Sequence, residues 1–485
     1  SWIIIAIIAY TLLSAIWGYG HGWSRILAGW RIDATHDPLD RIKVTLTALG
    51  GVGAVGYLVI KYRERSALER GEADEKLVRS VQQLGDPSPQ VRIAGVYALA
   101  DVADTYEGPY HQRVVDILCG YLRTDRLLKD ANGDTRYATN DDGTPNYDQP
   151  LSADSAVEST ILSVLTSHLR ASHSTTQGPW SDCNIDLHRT ILTEEVDLSD
   201  TIINKITCKA TIFKNQCTFS GAKLKQEADF SDAVFHKFTW LDGVNFPDST
   251  KFWGTSFEMT AVFDSSTFGG EAVFGGCNFR KGAHFSEVKF VRNCGFEDTK
   301  FALSCHFERA TFIKGARFYG VKFEGFTYFD KVTFSNNVNF GGVKFGGVCF
   351  FNGATFRGTS HISSTSFCDD AIFDGVNFER EAHFANTSFK KNVKLEFVRF
   401  RNGYSLYNVR FNIDLRGSNG VSFPINWLLE SNGLPAGGSW FDFSPKELGH
   451  STKQHCERAP DEERQPDEVP PTDGLPQDKD GEEDG

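Results

Sequence analysis

The most regular feature of the chain is a repeat of large apolar positions between residues 213 and 411. Counting forward from Phe213 alternately by 6 and 5 residues gives 37 positions, and 32 of these are Phe. The other five are Leu224, Leu241, Ile362, Leu395 and Leu406. The residue two places earlier is Ala, Cys, Ser, Thr or Val in 36 cases, with Tyr404 as the exception. This unbroken small–large alternation predicts short strands stacked around an apolar axis.

The alternation gives a period of eleven residues, which repeats eighteen times between residues 213 and 411 without a slip. Coils that stack at the strand spacing of about 4.8 Å would align equivalent apolar residues in ladders. Each buried Phe contributes about 1.5–3 kcal/mol, and stability comes from stacking because no coil buries its inner face alone. The predicted structural core includes Phe257, Phe268, Phe279, Phe290, Phe301, Phe312, Phe323, Phe334, Phe345 and Phe356.

The repeat units Ala310-Thr311-Phe312 and Ala316-Arg317-Phe318 resemble those of the pentapeptide-repeat family. The resemblance runs from about Leu187 to Phe411 and implies a mainly β fold, a right-handed quadrilateral β-helix. Here every second side is one residue longer than the family's unit, which implies 22 residues per coil instead of 20. The layout, with two apolar N-terminal segments, a helical block and Phe-rich repeats, is similar to membrane-anchored bacterial members of the family.

Two uncharged stretches near the N-terminus, residues 1–20 and 44–60, predict membrane-spanning helices. Twenty helical residues span about 30 Å, the thickness of the bilayer core. The alternatives are a cleaved signal peptide for the first stretch and a buried helix for the second.

Gly51, Gly53 and Gly56 fit the G-x-G-x-x-G pattern, but their flanks lack the βαβ context of a dinucleotide site. The chain begins with Ser and not Met, which favours a piece of a longer protein.

The patterns divide the chain into five regions. We expect transmembrane helices with their loop at 1–65, a helical adaptor and linker at 66–180, the β-helix at 181–417, a C-terminal cap segment at 418–450 and a disordered acidic tail at 451–485. In the adaptor, a break at 86–89 precedes a HEAT-like helix that has no second copy. Its predicted apolar face is Val91, Ala94, Gly95, Ala98, Leu99 and Val102. Residues 130–150 are predicted to form a loop, and about 153–169 a helix.

Charge and cysteine content indicate which ligands and which cellular compartment the protein suits. The formal net charge is −13, while residues 186–411 carry 27 Lys or Arg and 25 Asp or Glu, a net of +2. Neither value favours nucleic-acid binding. The ten Cys include no CxxC pair, and several fall at inward positions out of disulfide reach of one another. These thiols are typical of a reducing compartment, so we expect the β-helix on the cytoplasmic side of a bacterial cell membrane.

One outward column differs from the others in polarity. Residues 22 apart along it are Trp240, Val262, His284, His306, Tyr328, Phe350, Ile372 and Lys394. Exposed apolar stripes usually mark contacts, which makes this column a candidate partner-binding face. The alternative is that it packs under the linker or under the C-terminal segment near Trp427 or Trp440. A neighbouring column carries six acids in eight positions, which turn chemistry alone could also explain.

No pattern indicates catalysis, a cofactor or a metal. His284 with His306, and His361 with His383, are one-coil pairs, but two ligands without a third make a poor metal site. No Ser-His-Asp order, phosphate loop or HExxH motif is present. The sequence favours a membrane-tethered scaffold for an unknown protein partner. The alternative is a DNA-mimicking topoisomerase-binding protective protein. That role needs a strongly negative solenoid, and only the acidic column supports it.

Overall fold

The computed structural model describes residues 38–171, 176–416, 420–423 and 429–443. It contains an α-helical N-terminal part followed by a parallel β-solenoid of about ten turns. The mainly β solenoid predicted from the Phe repeat is therefore confirmed. Residues 1–37 and 444–485, which include the first predicted membrane helix and the predicted acidic tail, lie outside the described residues.

Four helices form the N-terminal part: α1 (Pro38–Leu84), α2 (Pro89–Tyr106), α3 (Pro109–Leu122) and α4 (Ser155–Leu169). Helices α2 and α3 both begin at a Pro, whose fixed φ suits the first helical turn. The predicted break at 86–89 and the helix near 153–169 are confirmed. The predicted apolar face of α2 is partly wrong, because Ala94 is exposed while Val96 is fully buried.

The segment predicted as a loop at 130–150 instead forms a β-hairpin. Its strands, Tyr137–Thr139 and Pro145–Pro150, pair antiparallel. The Asp130 carboxylate accepts hydrogen bonds from the backbone N–H groups of Asn132 and Asp134, at 2.8 and 2.9 Å, and so closes the turn before the hairpin. The Asp, Asn and Gly residues that suggested an open loop are therefore the residues of tight turns.

The second predicted membrane stretch, residues 44–60, lies within the 47-residue helix α1. Over the residues that the structure describes, none of the helices is both long enough and apolar enough to cross a membrane. The prediction that 44–60 spans a bilayer therefore has no structural support.

The solenoid has four faces, each a sheet of parallel strands. Face 1 contains Ile191–Leu192, Ile212–Phe213, Val234–Phe235, Ser256–Phe257, Asn278–Phe279, Lys300–Phe301, Lys322–Phe323, Lys344–Phe345, Ser366–Phe367, Ser388–Phe389, Val409–Asn412 and Gly438–Phe441. Face 2 contains Val196–Asp197, Cys217–Thr218, Thr239–Trp240, Ala261–Val262, Ala283–His284, Cys305–His306, Thr327–Tyr328, Cys349–Phe350, Ala371–Ile372, Val393–Lys394 and Val421–Ser422.

The other two faces complete each coil. Face 3 contains Ile202–Ile203, Lys223–Leu224, Asn245–Phe246, Thr267–Phe268, Lys289–Phe290, Thr311–Phe312, Thr333–Phe334, Thr355–Phe356, Asn377–Phe378 and Arg399–Phe400. Face 4 contains Asn184–Asp186, Lys205–Thr207, Ala228–Asp229, Thr250–Lys251, Ala272–Val273, Cys294–Gly295, Ala316–Arg317, Val338–Asn339, Ser360–His361, Ala382–His383 and Tyr404–Ser405.

The pairing register gives the coil length. Phe235 pairs with Phe257, Phe257 with Phe279 and Phe279 with Phe301, so successive coils are offset by 22 residues, as predicted. The first coil is one residue shorter, since Ile191 pairs with Ile212. The 22-residue coil is therefore confirmed for the regular coils, and the first coil departs from it by one residue.

Stacked phenylalanines fill the solenoid. On face 1, the rings from Phe213 to Phe411 lie 4.5–5.3 Å apart and within 13° of parallel. Face 3 has an equivalent ladder from Phe246 to Phe400. The structure places all ten predicted core residues in these two ladders, none more than 1% exposed. Aromatic contacts of this kind stabilise by about 0.5–1.5 kcal/mol beyond burial alone.

The helices cover the N-terminal end of the solenoid. Glu158 of α4 is fully buried and accepts hydrogen bonds from the backbone N–H groups of Thr193 (2.7 Å) and Glu194 (3.1 Å). Arg126 forms an ion pair with Glu158 and donates to the carbonyl oxygen of Ile191 at 2.8 Å. Because the first coil has no preceding coil, these side chains supply partners that its backbone would otherwise lack.

Candidate functional site

Strand register brings the predicted partner-binding residues into one line on face 2. Each residue pairs directly with the next, in the order Trp240, Val262, His284, His306, Tyr328, Phe350 and Ile372. Their neighbours in the strands, such as Cys305 and Thr327, point inward and are buried, so the alternation within each strand turns this line outward. We call these seven residues the apolar column.

Four rings of the apolar column form a continuous stack on the outer surface. The centroid distances are 4.7 Å for His284–His306, 4.7 Å for His306–Tyr328 and 5.1 Å for Tyr328–Phe350. All four side chains are half-buried, because each ring covers its neighbours and leaves its outer edge to solvent. The result is a rigid apolar ridge.

Further apolar side chains widen this ridge and were missed in the sequence. Phe238, Leu303 and Phe326, in the turns that lead into face 2, are 40%, 49% and 49% exposed. The Phe238 ring lies 5.8 Å from the ring of Trp240. A signal was present, because Phe238, Phe326 and Val348 share one 22-residue column, but the sequence reasoning followed only positions that flank the buried Phe.

The acidic column borders the ridge on its other side, where each of its residues follows the buried apolar residue that comes directly after a face 2 strand. It consists of Asp242, Asp264, Ser286, Glu308, Asp330, Asn352, Asp374 and Glu396. Asp264 accepts a hydrogen bond from the backbone N–H of Ser286 at 2.7 Å, and Asp330 accepts one from that of Asn352 at 2.9 Å. These acids therefore fix the turn of the next coil, which supports the turn-chemistry explanation for them. They also give the ridge an acidic edge.

Burial and neighbouring charges shift several pKa values along this border. Burial raises the pKa of Asp264 and of Asp330. Burial opposes ionisation of Glu308 most strongly, but its hydrogen bonds with the His306 ring (3.0 Å) and with Ser286, together with the attraction of His306, outweigh burial and lower the pKa of that carboxyl. Burial, and then the adjacent His306, lower the pKa of His284. His284 is therefore mostly neutral at pH 7, which suits an apolar surface.

The histidine pairs do not converge on a common point. His284 and His306, like His361 and His383, are stacked face to face, 4.7 and 5.2 Å apart. Within the described ranges, no group of three or more His, Cys, Asp or Glu side chains is placed to hold a metal ion.

Three surface depressions lie away from the apolar column. One of about 300 Å³ at the junction of helices and solenoid is lined by Arg126, Glu158 and Arg189 among others. A second, of about 460 Å³, lies beside α4 and Arg170, and a third, of about 540 Å³, lies beside Lys300. The candidate site is therefore an exposed ridge and not a cleft.

Comparison with known proteins gives one match. Residues 252–300, 296–344 and 307–355 match the family model described as pentapeptide repeats (9 copies). Searches of curated proteins and of solved structures found no match to the chain. The matched residues are regular coils in which the Phe ladders and the 22-residue register are continuous. The Phe-rich repeats of these residues are thus pentapeptide repeats.

Proposed function

We propose that this protein is a non-catalytic scaffold that binds a protein partner through the apolar column. The observation that carries the proposal is the outer ring stack from His284 to Phe350, widened by exposed Phe238, Leu303 and Phe326. From Trp240 to Ile372 the ridge covers six coil steps, or about 29 Å at 4.8 Å per step. This length suits a protein interface of standard size, about 800 Å² on each partner.

The chemistry of the ridge suggests the character of its partner. A matching surface would be apolar in the centre, with basic residues along the side that meets Asp264, Glu308 and Asp330. Central aromatic side chains commonly dominate binding energy, while bordering charges set orientation and association rate.

A DNA-mimicking role is the weaker alternative. Residues 186–411 have a net charge of +2, and two acids of the acidic column, Asp264 and Asp330, are engaged in turn hydrogen bonds. Mimicry of a phosphate backbone needs a dense and free negative surface. The structure therefore supports a protein-binding scaffold better than it supports a DNA mimic.

The test compares two triple variants of the full chain. Trp240→Ser/Tyr328→Ser/Phe350→Ser removes the ridge, and Trp253→Ser/Tyr319→Ser/Phe397→Ser removes exposed aromatic side chains of the same types elsewhere. A partner is first identified by proximity labelling in the native cell, and its purified form is then titrated by calorimetry. We expect the ridge variant to bind at least about 30-fold more weakly, equal to 2 kcal/mol, with the control unchanged.

Circular dichroism melts and sedimentation show whether the protein itself occupies the ridge. If the ridge variant also melts at a clearly lower temperature, the column packs against another segment of the protein itself; the segment of Trp440 is not that segment, because it pairs on face 1. If wild type is a dimer and the ridge variant a monomer, the occupant is a second copy. Equal binding by both folded variants would refute the proposal.

We also propose that residues 1–20 attach the scaffold to a bacterial cell membrane, with the solenoid on the cytoplasmic side. The support is their lack of charge and the nine described Cys, all free and eight of them buried. Alkaline carbonate washing of the native membrane fraction should leave the protein bound. Release by carbonate, or cleavage of the solenoid by protease added to intact cells, would contradict this arrangement.

A further inference from the structure

A separate unusual feature lies on face 1, where three lysines pair in direct register on neighbouring strands. Lys300 pairs with Lys322, and Lys322 with Lys344, on adjacent strands about 4.8 Å apart. All three side chains are exposed. Like charges directly opposite one another in a sheet are destabilising, so this arrangement costs stability unless an anion compensates it. We call these three residues the lysine ladder.

The described residues supply little of that compensation. Lys300 forms an ion pair with Glu324 at 3.2 Å, whereas neither Lys322 nor Lys344 pairs with any carboxylate of the described residues. Beside Lys344 the chain carries no side chains, since Gly346 and Gly347 directly follow Phe345. The ladder is therefore an open cationic strip that an extended chain could approach closely.

The described chain ends on this same face. Its last strand, Gly438–Phe441, pairs with Val409–Asn412 and so extends the sheet of face 1. The Arg410 guanidinium lies 4.7 Å from the Phe441 ring centroid, which fixes this final strand in place. Lys344 is four coil steps from this final strand, or about 19 Å. Fewer than about ten extended residues would reach the ladder from Phe443.

The remaining segment has the complementary charge. Residues 444–485 contain 13 Asp or Glu and 5 Lys or Arg, a net of −8. Twelve of these acids lie between Glu457 and Asp484. Because the segment is covalently connected to face 1, its effective concentration at the ladder is in the millimolar range. A separate anion of similar affinity would reach the same occupancy only at a millimolar free concentration.

We infer that the acidic segment 457–484 of this chain binds the lysine ladder of its own face 1. The segment neutralises the stacked ammonium groups and closes this strip to other polyanions, such as nucleic acid or anionic lipid. The contact is electrostatic, so it weakens as salt shortens the Debye length from about 10 Å at 0.1 M to about 3 Å at 1 M. This inference is independent of the partner-binding role of face 2.

Carbodiimide cross-linking of the full chain tests the contact, because it joins a carboxylate to an amine only when the two touch. Peptides are identified by mass spectrometry from the monomer band. We expect tail carboxylates to join Lys300, Lys322 and Lys344 several-fold more often than the exposed control lysines Lys223, Lys289 and Lys314 on and beside face 3. The preference should disappear at 1 M salt.

A variant with the twelve acids of 457–484 changed to Asn or Gln gives the second arm. It should bind a labelled DNA duplex or anionic vesicles more tightly than wild type, and adding Lys300→Gln/Lys322→Gln/Lys344→Gln should abolish that gain. Equal cross-linking to control lysines, or cross-links only in dimers, would overturn the intramolecular contact. Equally tight binding of duplex or vesicles by wild type would show that nucleic acid or lipid occupies the ladder instead.

Discussion

At the residue scale, the small buried residue two places before each large apolar residue does more than avoid steric crowding. The hydroxyl of Thr299 is fully buried and donates to the carbonyl oxygen of Phe274 in the preceding coil at 2.6 Å. Thr255 and Thr387 make the same contact at 2.7 and 2.6 Å, and the Cys277 thiol donates to the Phe252 carbonyl oxygen at 2.8 Å. A small side chain with a donor therefore links two coils at a position where Ala and Val only fill space.

Thr299→Val should show the contribution of this link. Val preserves the shape of Thr but removes the donor, so we expect the free energy of unfolding to fall by about 0.5–1.5 kcal/mol. The control is Thr333→Val on the outer surface of face 3, where a half-buried Thr has no inward role. Denaturant unfolding of the full chain measures both, and equal losses would contradict the linking role.

At the element scale, most strands of the solenoid are only two residues long. The length of the preceding turn therefore determines which residue of each strand points inward. Between Phe312 and Phe318, Gly315 occupies the extra residue of a six-residue side, and its N–H donates to the Asn293 side-chain oxygen at 3.1 Å. Cys294 and Ala316 then pair in register. The turn length therefore decides which side chains enter the core.

Deleting Gly315 should lower the melting temperature of the solenoid markedly. The shortened side would move later Phe residues off the axis or force a bulge, since a one-residue slip turns each strand over. Deleting residues 315–336, one complete coil, is the matched control and should cost little because it keeps the phase. Similar melting temperatures for the two deletions, measured by circular dichroism, would contradict a fixed 22-residue register.

At the scale of the whole molecule, the helices act as a cap for the solenoid. The Arg126–Glu158 pair is central to that role, because both side chains are buried and both bond to the backbone of the first coil. A terminal coil without such a cover would expose unpaired strand edges, which repeat proteins avoid with capping elements.

Glu158→Gln should destabilise this junction by about 3–5 kcal/mol, because it leaves the buried charge of Arg126 without its counterion. Hydrogen exchange of residues 184–199 should accelerate, while exchange in the central coils should change little. The control, Glu75→Gln, removes an exposed ion pair with Arg79 on α1 and should cost less than about 1 kcal/mol. Unchanged exchange in the first coil would argue against the capping role.

The features that could be predicted from the sequence are those set by a repeated local pattern, and not those set by single contacts between distant residues. The Phe spacing predicted the coil length, the core and the alignment of the apolar column, because these depend on a local pattern repeated many times. The contacts of Glu158 with Thr193 and Glu194 join residues about 35 apart without a repeat, so no pattern marked them. The exposed Phe326 was missed because a turn residue has no required side to face.

The backbone hydrogen bonds between coils, such as Phe263 N–H to the His284 carbonyl oxygen at 2.7 Å, run along the solenoid axis. A pulling force applied between the two ends of the solenoid would therefore act on every coil junction in series. The junction that fails first would be near the C-terminal end, where Phe400 is half-buried and Tyr404 is 41% exposed. Each coil that then unravels would release about 75 Å of chain, at about 3.4 Å per residue.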